Sequence, residues 1–266
     1  MAIATVDDIA AALAVAQRQN YLKNIGAAKA VGAFQSAWRA AGKPGAAAAP
    51  PAYTAGAGYT CDRATVGALA QSNGAVKNWL AAMSALGSQM GTLILYDRLW
   101  QCSGIPFGAG TYAITTPGNL PTRITDAGVG CELWVENDVA AGAASGTLTA
   151  TYVEPGAATG HTGVIGAVVS APVAGQMQPV PLQAGDTGIK QLTNVITSAT
   201  WTSGSFGLMI AKRIAEVPIG IIGGGNVLDW AMSLNEIPAD ACLAFALLAN
   251  VTTAATVLGT IKIIDK

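Results

Sequence analysis

Charge is what this chain has least of. Of its 266 residues only 14 are Lys or Arg and 15 are Asp or Glu, so charged residues make up 11% of the sequence. That is about half of the ~25% found in an ordinary soluble domain. A solitary soluble monomer keeps a charged surface to stay dispersed. A surface this neutral suits faces buried against copies of the same chain or against a large assembly. The formal net charge of −1 leaves no surplus of cations to neutralise phosphates, which excludes direct nucleic-acid binding. The same balance excludes a polybasic membrane anchor.

Histidine occurs once and cysteine four times, which narrows the chemistry further. His161 lies in Gly160-His161-Thr162-Gly163 and reads as a surface-loop residue, since no GxSxG or comparable nucleophile context accompanies it. Cys61, Cys102, Cys131 and Cys242 form no CxxC or Cys/His pair, so a zinc site is not expected. They read as buried, unpaired thiols that pack as small hydrophobes. Their three formal pairings stay open for a particle that lives outside the cell.

Other patterns resemble sites and lack their essentials. Gly223-Gly224-Gly225-Asn226 has neither the Lys-Ser/Thr pair of a P-loop nor GxGxxG spacing, so it reads as a turn or bulge. Glu132 and Glu136 share one face of a strand pattern with Trp134, and Asp138 follows. Two acids beside an aromatic are the pattern of a sugar-cleaving cleft; on an antiparallel sheet they are ordinarily a solvated face. Asp126, Glu132, Glu136 and Asp138 lack EF-hand spacing for Ca²⁺. The sequence therefore predicts no catalytic residue, no metal ligand and no cofactor. Tyr96-Asp97-Arg98-Leu99-Trp100 is the most charged and aromatic short run. Tyr96, Arg98 and Trp100, with Trp134, are the candidate interface residues, because Arg, Tyr and Trp are the types that anchor contacts.

Long apolar runs are also few. Ala241–Ile261 is free of charge for 21 residues, long enough to span a bilayer. It holds Asn250, Thr252, Thr253, Thr256, Gly259 and Thr260, and reads better as two strands, Leu243–Ala249 and Val257–Ile264, around a polar turn. No secretory leader is expected, since Asp7 and Asp8 follow an uncharged start.

What is present is Ala, Gly, Thr and Val. Thr5 and Asp8 have capping-box spacing ahead of Ile9, Leu13 and Ala16, which predicts a helix. A second helix is predicted over about 23–40 on Ile25, Val31, Phe34 and Trp38. A linker is predicted over 42–58, where Pro44, Pro50 and Pro51 exclude a continuous helix. A third helix is predicted over 61–89 on Val66, Leu69, Val76, Leu80 and Met83. Thereafter the texture is β: 92–100 as strand or short helix, then strands at 131–136, 147–153, 164–170, 178–182, 191–198, 206–214, 243–249 and 257–264. The expected fold is α+β: an N-terminal helical arm (1–41), the linker (42–58), a helical segment (59–90) and an antiparallel β-sandwich or jelly-roll-like domain (91–266).

Two stretches carry a resemblance. One is Leu93–Ile105 (LILYDRLWQCSGI) with Pro121–Glu136 (PTRITDAGVGCELWVE); the other is Ser145–Gly156 (SGTLTATYVEPG) through Gly160-His161-Thr162-Gly163. Over roughly residues 90–220 the chain resembles structural proteins of tailed-bacteriophage virions, in particular those attached to the capsid exterior. The resemblance implies a decoration or cement protein made in the host cytoplasm and located on the virion capsid surface. It would bind the major capsid protein and its own copies, and such a family brings no catalytic residues. Closed cyclic symmetry, expected as a trimer, would hide sheet edges and neutral faces. Neither nucleic acid nor membrane is an expected partner. The alternatives are a tail, baseplate or fibre component that binds glycans around Trp134, and a polysaccharide hydrolase using Glu132 and Glu136.

Overall fold

The computed structural model describes residues 5–49, 58–71, 78–114, 120–144, 146–232 and 235–265. Among them stand one helix, α1 (Val6–Ala14), and seventeen strands. These are β1 (Gln17–Ile25), β2 (Phe34–Ser36), β3 (Ala41–Lys43), β4 (Gly58–Thr60), β5 (Asn78–Gly87), β6 (Gly91–Pro106), β7 (Gly110–Ala113), β8 (Cys131–Val139) and β9 (Leu148–Val153). They continue with β10 (His161–Ile165), β11 (Gln176–Pro179), β12 (Gln191–Thr197), β13 (Ser205–Ile219), β14 (Gly225–Asp229), β15 (Asn235–Ile237), β16 (Leu243–Ala249) and β17 (Ala255–Asp265).

The strands form three antiparallel sheets. In the middle, β13-β8-β11-β2-β16-β6 run side by side, and β6 pairs back onto β13 to close a six-stranded barrel, with β4 added outside on β6. Barrel strands alternate between lumen and exterior. Ile94 and Tyr96 of β6, Trp134 of β8, Met177 of β11, Met209 and Ala211 of β13, and Ala244 and Ala246 of β16 share one cluster inside. The alternate residues face outward on two sides. Leu93, Leu95, Val217, Phe245 and Leu247 pack against the six-stranded sheet β14-β5-β17-β1-β3, in which β15 also pairs with β5. Leu99, Cys102, Leu133, Val135, Leu208 and Ile210 pack against the four-stranded sheet β10-β9-β12-β7. The long strands β6 and β13 thread through both outer cores. Buried on both faces, β6 reads as the near-continuous apolar run that was ambiguous between strand and helix.

The expected α+β architecture is corrected by this arrangement: 51% of the described residues are strand and 4% helix, and among them no helical arm precedes a sandwich or jelly roll. The first helix forms where the capping box placed it, with Thr5 accepting from Asp8 N and the Asp8 carboxylate accepting from Thr5 N. The second does not. Tyr21, Lys23 and Ile25 alternate inward on β1, Phe34 and Trp38 enter the barrel cluster, and Val31 of the supposed apolar stripe lies exposed between them. The helix predicted over 61–89 is turns at 61–71 and strand β5 from Asn78, with Val66 exposed; residues 72–77 lie outside the described residues. Asn78–Gly87 is rich in Ala and Leu, good helix formers, and here pairing with β17 overrides that propensity.

The predicted linker lies in part, 50–57, outside the described residues. Its first residues are tied down: β3 pairs with β1, and Lys23 buries its ammonium against the carbonyls of Ala40 (3.0 Å) and Gly45 (3.4 Å). Desolvation lowers that amine to about 8. The two strands read from Ala241–Ile261 form, but they part company: β16 joins the barrel and β17 the six-stranded sheet. No helix among the described residues is long and apolar enough to cross a membrane.

Candidate functional site

The four residues read as interface anchors are inside the protein. Tyr96, Arg98 and Trp134 line the barrel, and Trp100 sits in the core beneath the four-stranded sheet, its indole lying flat where Gly58 leaves room for it. All four are buried, Arg98 to 1% exposure, so none is offered to an external partner in this conformation.

Of the acids singled out beside them, Glu136 and Asp138 border one small hollow with Arg39, and Glu132 does not. Glu136 is sealed in the barrel, where it accepts from Arg98 Nη2, and the neighbouring guanidinium holds its carboxyl below the usual range against the opposing pull of burial. Glu132 instead accepts from Trp134 Nε1 (2.9 Å) and pairs with Arg213 (3.2 Å). Asp138 takes Arg39 and the Gly104 amide. No group of three or more metal-binding side chains occurs among the described residues.

His161 opens β10 and is not free in a loop. Its Nδ1 lies 2.8 Å from Asp186 Oδ2, and the Tyr152 hydroxyl donates to the same carboxylate while accepting from Gln183 N. The Tyr152 hydroxyl, aided by His161, holds the Asp186 carboxyl below the ordinary aspartate value. A lowered folded-state value means that this stabilisation is complete above the unfolded pKa and is lost as pH falls through the folded one. Asp186→Asn is therefore expected to melt below wild type at pH 7, with the gap narrowing below pH ~4. Melting curves of the two proteins from pH 7 to 2.5 read this directly; a constant gap would assign Asp186 a role independent of its charge.

Besides the hollow of about 160 Å³ at Arg39, Glu136 and Asp138, two larger ones are open to solvent. One, of about 360 Å³, is lined by Asp97, Arg123, Asp126, Lys212, Arg213 and Glu236 among others. In it Arg123 grips Asp97 with two 2.8 Å hydrogen bonds and Lys212 pairs with Asp126, so these charges satisfy each other. The other, about 630 Å³, lies along the outer face of the six-stranded sheet.

That outer face is built by register. Helix α1 covers one end of it, seating Ala12 on Ala81 and Ile264. Beyond the helix come cross-strand rows. Arg18, Lys262, Ala82 and Asp229 form the first, and Asn20, Thr260, Ser84 and Val227 the second. Leu22, Leu258 and Leu86 form the third, and Asn24 and Thr256 the fourth. Thr260 Oγ1 donates to Asn20 Oδ1 (2.9 Å) and Thr256 Oγ1 to Asn24 Oδ1 (3.0 Å), which fixes the polar rows and leaves the leucine row between them. Leu22 and Leu258 are each 40% exposed and Val227 60%, and the loop leading into β14 adds exposed Ile221 and Ile222 at the border. Past the first row the outer side of these four strands carries no charged side chain, Lys23 of β1 pointing inward, and Lys43 stands at its rim.

Sequence reading passed over this face. The signal was there in the alternation Arg18, Asn20, Leu22, Asn24 and again in Thr256, Leu258, Thr260, Lys262. A helical reading of the N-terminal quarter broke the first half of it.

Neither a protein-family model nor any curated protein matches the chain. Among solved structures, the VP2 subviral particle of infectious bursal disease virus is similar at 9% identity and a TM-score of 0.23, over 94% of this chain and 80% of that one. The Gt strain of the same virus gives 10% and 0.21, over 94% and 81%. The family 11 carbohydrate-binding module of the cellulosomal cellulase Lic26A-Cel5E of Clostridium thermocellum gives 10% and 0.21, over 60% of this chain and 96% of the module. Likenesses this slight assign neither a fold family nor a function.

Proposed function

We propose that this chain is a structural protein of a phage virion that decorates or cements the capsid, laying the open face of its six-stranded sheet on the major capsid protein. The observation that carries this reading is the uncharged leucine row, Leu22–Leu258–Leu86, left uncovered between Thr/Asn rows in a chain with 11% charged residues. An exposed apolar stripe with a hydrogen-bonded polar border is the composition of a contact surface.

Size sets how the contact works. Four strands at ~4.8 Å spacing and six residue steps of ~3.4 Å give a footprint of about 400 Å². A stable pairwise interface needs about 800 Å² per partner. One such contact is weak, and many copies on a lattice make it effective through avidity. Self-association into a trimer is part of the proposal, and native mass spectrometry of the purified chain reads it.

The test is co-sedimentation with shells of the major capsid protein from a phage encoding the chain, prepared without it. Wild-type protein is expected to saturate assembled shells and to bind isolated capsid subunits far more weakly. Leu258→Asp places a charge in the middle of the row and is expected to reduce shell binding at least tenfold without lowering the melting midpoint. Val164→Asp, an exposed position of the four-stranded sheet, is expected to bind as wild type. Unchanged binding by folded Leu258→Asp would remove the face from the interaction, and shells that take up no wild-type chain would overturn the capsid reading.

A further inference from the structure

β4 and β16 lie end to end on the same edge of β6. Gly58–Thr60 pairs with Trp100–Cys102, and Leu243–Ala249 pairs with Gly91–Asp97. The gap between them is filled by two cysteines. Just past β4, Cys61 N donates to Leu99 O (2.9 Å); just before β16, Cys242 O accepts from Arg98 N (2.9 Å). Residues 181 positions apart in sequence, the difference between 242 and 61, thus hold adjacent places on one strand edge. Their thiols hydrogen-bond to each other, and neither side chain reaches solvent. Both side chains belong to the one buried cluster inside the barrel, so they stand on the same side of this edge, as the close Cα approach of a disulfide requires. Cys102 and Cys131 are not so placed: they lie opposite Leu208 and Lys212 of β13, about 13 Å apart along that strand.

We infer that Cys61 and Cys242 are a disulfide-forming pair, which a small-molecule disulfide such as oxidised glutathione converts into a cross-link fastening β4 to β16 along the edge of β6. The pair is chemically unequal. The hydrogen bond with Cys242, helped by the guanidinium groups of Arg98 and Arg123, holds the Cys61 thiol below its ordinary value, whereas that same bond and burial push Cys242 up. Cys61 is therefore the first nucleophile. Its thiolate attacks one sulfur of oxidised glutathione, the glutathione S–S bond breaks, and one glutathione leaves as the thiol. The Cys242 thiolate then attacks the Cys61 sulfur of the mixed disulfide and releases the second glutathione. Two protein thiols are oxidised, one glutathione disulfide is reduced, and both protons end on glutathione. Access comes through β4, a three-residue edge strand with Tyr59 and Thr60 exposed, whose lifting uncovers Cys61 at the border of the barrel cluster.

The experiment uses the full-length native chain incubated with oxidised glutathione, followed by alkylation under denaturing conditions and non-reducing peptide mapping. The expected result is a Cys61–Cys242 linked peptide, with Cys102 and Cys131 fully alkylated. Closing so long a loop is also expected to raise the melting midpoint by about 5 °C or more, reversed by dithiothreitol. The rise should persist in Cys102→Ala/Cys131→Ala and vanish in Cys242→Ala. Four alkylated cysteines after oxidation, a linked peptide joining another pair, or arrest at a glutathione adduct on Cys61 would each overturn the inference. The mapping is made on wild-type protein, so it stands whether or not a variant folds.

Discussion

Glu136→Ala is expected to lower the melting midpoint by about 10 °C, because it strands a guanidinium inside the barrel. Arg98 and Glu136 are 1% and 2% exposed and hydrogen-bond to each other. Arg98 also donates to Gln101 Oε1, contacts Met209 Sδ (3.0 Å) and stacks 4.8 Å above the Trp38 ring. Burial alone would favour neutral forms of both groups. The mutual field reverses this, holding the Glu136 carboxyl below its usual range and the guanidinium above its own. Removing one partner of such a pair leaves an uncompensated buried charge, which costs about 3–5 kcal/mol. At about 2–4 °C per kcal/mol for a chain of this size, that is the stated loss. Replacing both, Arg98→Met with Glu136→Leu, is expected to recover most of it, since the desolvation cost disappears with the charges. Thermal melts of Arg98→Met, Glu136→Leu and the double variant close the cycle. A Glu136→Ala midpoint within 2 °C of wild type would mean that the buried guanidinium finds another counter-charge and that the pair with Glu136 is not what holds it.

The same run of residues shows how far the sequence could be read. Tyr96, Arg98 and Trp100 were singled out as anchors because their types are those that make contacts; the contacts they make are with the protein's own lumen and core. Sequence alone cannot separate the two uses. An Arg at an interface and an Arg across a barrel want the same carboxylate, and only the pairing of β6 with β13 and β13 with β8 brings residue 136 to residue 98. Strands with a solvated face were legible, as at Thr147–Val153 and Gln191–Ser198, where period-two alternation survives. β5 was not, because it is a string of Ala, Leu and Met whose local preference is helical. The capping box at Thr5 and Asp8 was readable because the signal is local. The open face was hidden for the opposite reason: its leucine row is assembled from residues 22, 86 and 258, which no window joins.

Gly259→Val is expected to be the most disruptive single change in that sheet, costing more than about 3 kcal/mol and at least 10 °C. On the inner side of the face, Tyr21 of β1 stands opposite Gly259 of β17, which in turn stands opposite Ala85 of β5. Lacking a side chain, Gly259 lets the Tyr21 ring cross over it, so the hydroxyl reaches the next strand but one and donates to Ser84 O at 2.6 Å. The ring packs 4.4 Å from Phe245 of the barrel, tying sheet and barrel together. A Cβ at 259 would lie 1.9 Å from Ser84 O and 2.6 Å from the Tyr21 hydroxyl. The first obstacle is backbone and cannot rotate away. Either β17 separates from β5 or Tyr21 leaves the core, and both spoil the register that sets Leu22 beside Leu258 and Leu86. Tyr21→Phe isolates the hydrogen bond and is expected to cost only about 1 kcal/mol. Gly259→Val should also release any shell binding in proportion to the loss of fold, unlike Leu258→Asp, which is expected to weaken it at least tenfold with the fold intact. Should Gly259→Val melt within 2 °C of wild type, β17 does not lie against β5 in this register, and the leucine row would no longer be one continuous surface.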